Sequence, residues 1–454
     1  MGKNKKRKVP VDLDQELELS FTGFTNSGEG VGRVEGFAVF VPYTIPGDRG
    51  RVRIKEVKKN FARGELVDLL EEGPGRIEPV CPVYGYCGGC QLQHVDYKRQ
   101  LELKTQLVKD AITRIGGFPA DLVREIKGAA KIWNYRNRGQ FPLAHNGSNQ
   151  IGFFKAGSHQ LVPIENCFLQ HEKINQLLEV ARSYLSRLKG NNLKHLVFKV
   201  SPETEKTMAV FVTQNENFPE GEEFALFLRE QVPDLASIVQ NINPKPYGPV
   251  LGRKSRVIWG EESLEDKMND LEFSVSAESF TQVNPEQTKI LYKEALEAAG
   301  LTGKETVIDA YCGIGTITLL LARQAKMVYG IEFIPEAIED ARENAEKNRI
   351  GNVDFVVGKV EEVLPRMAAK EIRTEVIVVD PPRKGCEPEV LQAMAEMGPE
   401  RIVYVSCNPA TLARDLKLLA GQGYEPKYVQ PVDMFPQTHH VETVVLMSKI
   451  EKQA

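Results

Sequence analysis

The chain has 454 residues, 42% of them hydrophobic and 26% charged, which supplies apolar material for two or three folded domains and excludes a mostly disordered protein. No apolar run approaches the ~20 residues that span a bilayer, the basic start Met1–Pro10 has no apolar stretch behind it as a secretory signal would, and seven cysteines are too few for a disulfide scaffold, so a cytoplasmic protein with no membrane partner is expected. The net charge of −4 divides unevenly, with 38 basic and 34 acidic residues in 1–270 against 20 and 28 in 271–454, and the first part is the one suited to a polyanion.

Residues 9–70 read as a small β-barrel. Short alternating runs such as Phe37-Ala38-Val39-Phe40-Val41 are punctuated by glycine, and Pro46-Gly47-Asp48 is a turn. In Arg51-Val52-Arg53-Ile54-Lys55, period-two alternation puts Val52 and Ile54 on one face and three cations on the other. Seven basic residues and one acid, Glu56, lie between Arg49 and Arg63, with Phe61 among them. A basic, aromatic-dotted barrel face is a common holder of single-stranded nucleic acid; a solvated ribbon without function is the bland alternative.

Residues 71–270 form a central α+β region. It opens with a loop rich in Gly, Pro and Cys, continues with a helix over 97–115 that could pack on the last domain, and holds a second helix over 171–188. Val108, Ala111, Ile112 and Ile115 share one face of the first helix, and Gly116-Gly117 stops it. Cys81, Cys87 and Cys90 have intervening spacings of five and two residues, and 76 residues separate Cys90 from Cys167. Three clustered cysteines and a distant fourth suit a four-thiolate site, iron–sulfur or zinc, and spacing does not choose between them.

Residues 271–454 alternate helix and strand: helix 285–299, strand 305–309, helix 315–324, strand 327–332, helix 335–348, strands 353–357 and 375–380, helix 388–397, strand 401–406, helix 409–420. This is the pattern of a doubly wound, Rossmann-like α/β domain with a mostly parallel sheet. The first strand runs into Asp309-Ala310-Tyr311-Cys312-Gly313-Ile314-Gly315, a glycine turn at a helix start. Glu332 ends the next strand, where an acid accepts hydrogen bonds from ribose hydroxyls. A dinucleotide loop would need glycine at 318, which is Thr318. The ligand expected is therefore S-adenosylmethionine, which has a ribose and no phosphate.

Three further segments lie at strand ends on one sheet edge: Asp380-Pro381-Pro382-Arg383, Ser406-Cys407-Asn408-Pro409 and His439-His440-Val441-Glu442-Thr443. A cysteine at a strand tip, before a helix opening at Pro409, sees the positive helix end, which favours thiolate over the ordinary value of about 8.5. A methyl transfer needs such a thiolate when the acceptor is C5 of a pyrimidine. Addition to C6 makes C5 nucleophilic, and a base must then remove the C5 proton. Cys407 and Glu442 supply the pair.

These motifs, with Phe280-Thr281-Gln282-Val283-Asn284-Pro285, resemble the signature of the RNA (uracil-5-)-methyltransferases, and residues 9–70 resemble the TRAM RNA-binding barrel that many members carry. The resemblance implies Cys407 as nucleophile and Glu442 as base, with Gln282, Tyr311, Glu332 and Asp380 lining the S-adenosylmethionine site. The segment Gly88-Gly89-Cys90-Gln91-Leu92-Gln93-His94 resembles the iron–sulfur segment of members acting on rRNA, which implies a structural [4Fe-4S] cluster on Cys81, Cys87, Cys90 and Cys167. Cys312 and Cys386 are taken as non-catalytic. The substrate implied is RNA, foremost 23S rRNA, with tRNA as the alternative, and no obligate protein partner is implied. RNA cytosine-5 methylation would place a second cysteine directly after the proline of the Asp-x-Pro segment, and Cys386 lies too late. A non-catalytic, redox-sensing RNA-binding protein would not need this whole set of residues.

Overall fold

The computed structural model describes residues 9–146 and 148–450; the basic run through Lys8 noted above lies outside them. The chain divides into two compact units: the described residues of Met1–Leu107 with Phe435–His440, and those of Val108–Met434 with Val441–Ala454.

In the first unit β1 (Glu16–Ser20), β2 (Gly23–Phe24), β3 (Glu29–Val34), β4 (Phe37–Pro42), β5 (Arg49–Val57) and β6 (Phe61–Glu71) form one sheet in the order β1-β5-β6-β4-β3-β2. Val39, Val41, Val52, Ile54 and Ala62 fill its core with no exposed surface. The cations of β5 point outward as the alternation requires, yet each meets an acid on a neighbouring strand. Arg51 pairs with Asp68, Arg53 with Glu16 at 2.6 Å, and Lys55 with Glu65 at 3.3 Å. The register causes this, because Arg53 lies opposite Glu16 on β1 and Glu65 on β6, and Arg51 opposite Glu18 and Asp68. The basic strip read from β5 alone is thus a ladder of alternating charge. On β4 and β6 the half-buried rings of Phe40 and Phe61 stand 5.4 Å apart, with the Arg63 guanidinium 5.7 Å from the Phe61 ring.

Helix α1 (Tyr97–Ala111) runs on into a π-turn, Ile112–Gly116, and stops at Gly117 with φ +78°. The wider turn shifts the helical phase, so Ile115, expected inside with Val108 and Ile112, is exposed.

The second unit holds two large sheets. The first takes β7 (Arg138–Asn146), β8 (Ser148–Phe154), β9 (Leu161–Pro163), β10 (Leu193–Val200), β11 (Thr207–Thr213), β12 (Leu235–Ile242) and β13 (Lys254–Gly260) in the order β13-β12-β11-β10-β7-β8-β9. Its helices are α2 (Glu172–Tyr184) and α3 (Gly221–Gln231). The hairpin β14 (Leu264–Met268) and β15 (Leu271–Val275) leads to the second sheet.

That sheet contains β16 (Thr306–Ala310), β17 (Met327–Glu332), β18 (Val353–Val357), β19 (Val376–Val379), β20 (Arg401–Ser406), β21 (Tyr424–Val432) and β22 (Glu442–Lys449), ordered β18-β17-β16-β19-β20-β22-β21. The pairs from β18 to β20 are parallel, while β22 runs antiparallel to both neighbours. Six helices accompany it: α4 (Pro285–Ala299), α5 (Thr316–Ala322), α6 (Pro335–Lys347), α7 (Val360–Ala369), α8 (Pro388–Met397) and α9 (Pro409–Ala420). Each lies where the pattern puts it except α7, which the sequence hides because Pro365 sits inside it. The expected α/β architecture, with an N-terminal barrel and a central α+β region, is present.

Candidate active site

The glycine turn after β16 is built for an open approach. Gly313 takes φ +56°, and a Cβ added there would meet nothing within 4 Å, so glycine serves the backbone conformation and leaves the space in front free. The Glu332 carboxylate closes the turn. It accepts from the Gly313 N–H at 3.2 Å and from the Phe333 and Ile334 N–H groups at 2.8 and 3.1 Å. Thr318, which replaces the third glycine of a dinucleotide loop, donates its hydroxyl to buried Asp309 at 2.5 Å. Burial pushes the Asp309 carboxyl up to about 7.

A cavity of about 760 Å³ opens at this edge. Gln282, Tyr311, Glu332 and Asp380, named from four separate segments, all line it. The segment bearing Gln282 is held by Asn284, whose side chain caps α4 by accepting from Gln287 N–H and donates to the Met434 carbonyl at 3.1 Å.

Cys407 and Glu442 are not in that lining. They sit beside it, at the end of β20 and the start of β22. Ser406 and Thr443 are the last register partners of that antiparallel pair, so the next residue on β20 and the preceding one on β22 come together at the same corner. Electrostatics joins them to the cavity. Burial, then the carboxylates of Glu442 and Asp380, push the Cys407 thiol up to about 12, while Arg383 pulls it down. Burial and Asp380 hold Glu442 well above the ordinary carboxyl range, again opposed by Arg383. Burial lifts Asp380 to about 6.

This corrects the expectation of a thiolate at rest. Desolvation and two nearby carboxylates outweigh one helix N-terminus and one guanidinium, so the free site holds a thiol. Arg383 also went unassigned from sequence, although it follows Asp-Pro-Pro directly.

Cys312 and Cys386 are buried, and burial pushes the Cys386 thiol up to about 12. Cys81, Cys87, Cys90 and Cys167 are half-buried. The Gly89 N–H donates to Cys87 Sγ at 3.4 Å. Burial first, then the charges of Cys87 and Cys90, raise the Tyr43 hydroxyl above its ordinary value, so both sulfurs act on one tyrosine. Among the described residues no group of three or more His, Cys, Asp or Glu side chains could hold a single metal ion, and no helix there is long and apolar enough to cross a membrane.

Residues 96–450 match the family model of the tRNA (uracil-5-)-methyltransferases, and residues 12–67 match that of the TRAM domain. The chain belongs to the tRNA (uracil-5-)-methyltransferase family. Relatives within reach of it include an uncharacterized RNA methyltransferase of Halalkalibacterium halodurans, 46% identical over 452 residues and covering 97% of this chain and 99% of its own. Another, from Clostridium acetobutylicum, is 44% identical and covers 98% and 99%. Among solved structures, the Pyrococcus abyssi tRNA (uracil-54, C5)-methyltransferase in complex with S-adenosyl-L-homocysteine superposes with a TM-score of 0.74 at 27% identity, covering 95% of this chain and 100% of its own. Family membership makes the protein an RNA methyltransferase with an RNA-binding barrel.

Proposed function

We propose that the protein methylates C5 of uridine in RNA with S-adenosylmethionine, and that 23S rRNA is the substrate. The observation that carries the chemistry is the meeting of Cys407 and Glu442 beside a cavity lined by Gln282, Tyr311, Glu332 and Asp380. S-adenosylmethionine, when bound in that cavity, supplies an electrophilic methyl group; the Pyrococcus abyssi relative with its bound S-adenosyl-L-homocysteine supports this reading.

Cys407 adds through sulfur to C6 of the uracil, which makes C5 the nucleophilic carbon. After C5 has taken the methyl group, Glu442 removes the C5 proton, and the C6–S bond breaks to return the cysteine. A buried carboxylate whose pKa is raised holds a transferred proton more firmly than an exposed one, which suits Glu442 to this step. Asp380 lines the cavity and its charge acts on both groups. Arg383 favours the ionised forms that attack and proton removal require. Cys386, in the loop after β19, is itself buried, which counts against a cytosine-5 mechanism with a second working cysteine.

A [4Fe-4S] cluster on Cys81, Cys87 and Cys90 is proposed from the cysteine spacing and the Gly88–His94 segment. Those three cysteines would hold the cluster, and the Gly89 N–H donated to Cys87 Sγ at 3.4 Å is the kind of hydrogen bond that tunes a ligating sulfur. Cys167 as fourth ligand rests on the sequence alone. The cluster is structural, because the transfer consumes no electron.

A tRNA substrate is the second reading, favoured by the tRNA specificity in the name of the Pyrococcus abyssi enzyme. Transfer assays on separated 23S rRNA and tRNA, with the modified nucleoside identified by mass spectrometry, decide between them. Methylation of tRNA alone would replace the first reading by the second.

A further inference from the structure

Helix α9 begins two residues after Cys407 and carries a feature no site motif explains. Asp415 is fully buried on its apolar face, with Leu412, Leu416 and Leu419, where a carboxylate needs several partners. Its Oδ2 accepts from the Tyr404 hydroxyl at 2.7 Å and from the Cys386 N–H at 2.9 Å. Its Oδ1 accepts from Arg414 Nε at 2.7 Å. Arg414 Nη2 in turn donates to the carbonyls of Lys384 and Cys386 at 3.0 and 3.3 Å.

The same helix start grips the loop one turn earlier. Asn408 Nδ2 and Thr411 Oγ1 both donate to the Arg383 carbonyl, at 3.1 and 3.2 Å. The fit leaves no slack at Gly385, which has φ +79° and where a Cβ would lie 2.5 Å from Asp415 Oδ2.

We propose that Asp415 and Arg414 are positioning residues for methyl transfer: they clamp the loop from Pro381 to Glu387 onto the helix that follows Cys407, and so hold the Arg383 guanidinium beside Cys407 and Glu442. This rests on the reading of Cys407 as nucleophile. The groups that set the charge at the thiol are then Glu442 on β22, Asp380 held at the tip of β19 by its N–H to the Ala310 carbonyl at 3.4 Å, and Arg383 on the clamped loop. With the loop released, the carboxylates act without a fixed cation, and the thiol ionises only at higher pH.

The test uses the full chain with Arg414→Met, Arg414→Lys and Asp415→Asn. Alkylation of Cys407 by iodoacetamide is followed against pH by peptide mass spectrometry, beside the transfer rate and the S-adenosylmethionine KM. Arg414 is half exposed, so Arg414→Met folds even if Asp415→Asn does not. Expected for Arg414→Met is an alkylation profile moved up by about one pH unit and a transfer rate lowered by roughly tenfold or more, with KM changed less than about twofold. Arg414→Lys, which keeps one donor for the loop carbonyls, recovers part of both. A folded Arg414→Met protein with the wild-type alkylation profile and transfer rate would overturn the clamp. Loss of the reading beneath it looks different: Cys407→Ala would then retain transfer, whatever the alkylation profile does.

Discussion

Ser406 and Thr443 face each other at the end of the β20–β22 pair, and the Thr443 hydroxyl donates to the Ser406 carbonyl at 3.1 Å. Because β22 runs against its neighbours, the start of that strand and the end of β20 share one edge of the sheet. Cys407 and Glu442, 35 positions apart by number, become neighbours one step beyond this pair. In an all-parallel sheet the first residue of the last strand would lie at the opposite edge, far from the cofactor turn.

Replacing Cys407 by alanine should abolish methyl transfer while leaving S-adenosylmethionine affinity within about threefold of wild type. Calorimetric titration with the cofactor and a radiolabel transfer assay on the same preparation check both halves. Appreciable turnover by the variant would remove covalent catalysis from the account.

Transfer by the wild type should rise with pH from 6 to about 9, since the Cys407 thiol and the Glu442 carboxyl are both held above their ordinary values and must be ionised to act. A single-turnover pH profile with saturating RNA measures it. A rate that falls over that range would mean that an acid form limits the reaction.

Glu442→Gln should trap a covalent protein–RNA adduct on a denaturing gel, because the C5 proton has lost its acceptor. It should also be the more stable protein at neutral pH. Folded Glu442 binds its proton more tightly than in the unfolded chain, so the wild type loses stability as pH rises above the unfolded value of about 4.3. Glutamine does not titrate. Melting temperatures should agree near pH 4 and favour the variant at pH 8; the opposite order would show that Glu442 ionises freely in the folded state.

Substituting Arg51, Arg53 and Lys55 together by Gln should change the salt dependence of RNA binding by less than about one unit of slope. Three free cations on that strand would contribute up to about two. The reason is their pairing with Asp68, Glu16 and Glu65, which adds little stability at such exposure but leaves little net charge on the face. Affinity against salt on a folded rRNA fragment is the measurement. A slope flattened by two units would restore the basic strip as a phosphate-binding face.

The barrel strand shows where sequence reading stops. Period-two alternation sorts Val52 and Ile54 from Arg51 and Arg53 without knowing any neighbour, and it holds. The partners across the ladder depend on register, and register brings Glu16 and Asp68 to the cations. The cofactor turn was legible because Asp309 to Gly315 is contiguous and its glycines carry a backbone requirement. The ionisation of Cys407 was not, because a local helix-end argument omits Asp380 and Glu442, which arrive from other strands. Asp415 left a readable trace: an acid at the spacing of Leu412, Leu416 and Leu419 sits on a buried helix face and must have partners.

Protein prepared without oxygen should be brown and carry about four iron per chain, and Cys87→Ser should lose the colour. Metal analysis of both preparations decides it. Stoichiometric zinc without iron would refute the cluster.

Uridine C5 methylation of RNA by this protein is measured by mapping 5-methyluridine with mass spectrometry in rRNA and tRNA from cells with and without it. In its absence 5-methyluridine should disappear from 23S rRNA at one or more positions, and it should return with the wild type but not with Cys407→Ala. Unchanged 5-methyluridine in both rRNA and tRNA would contradict this activity.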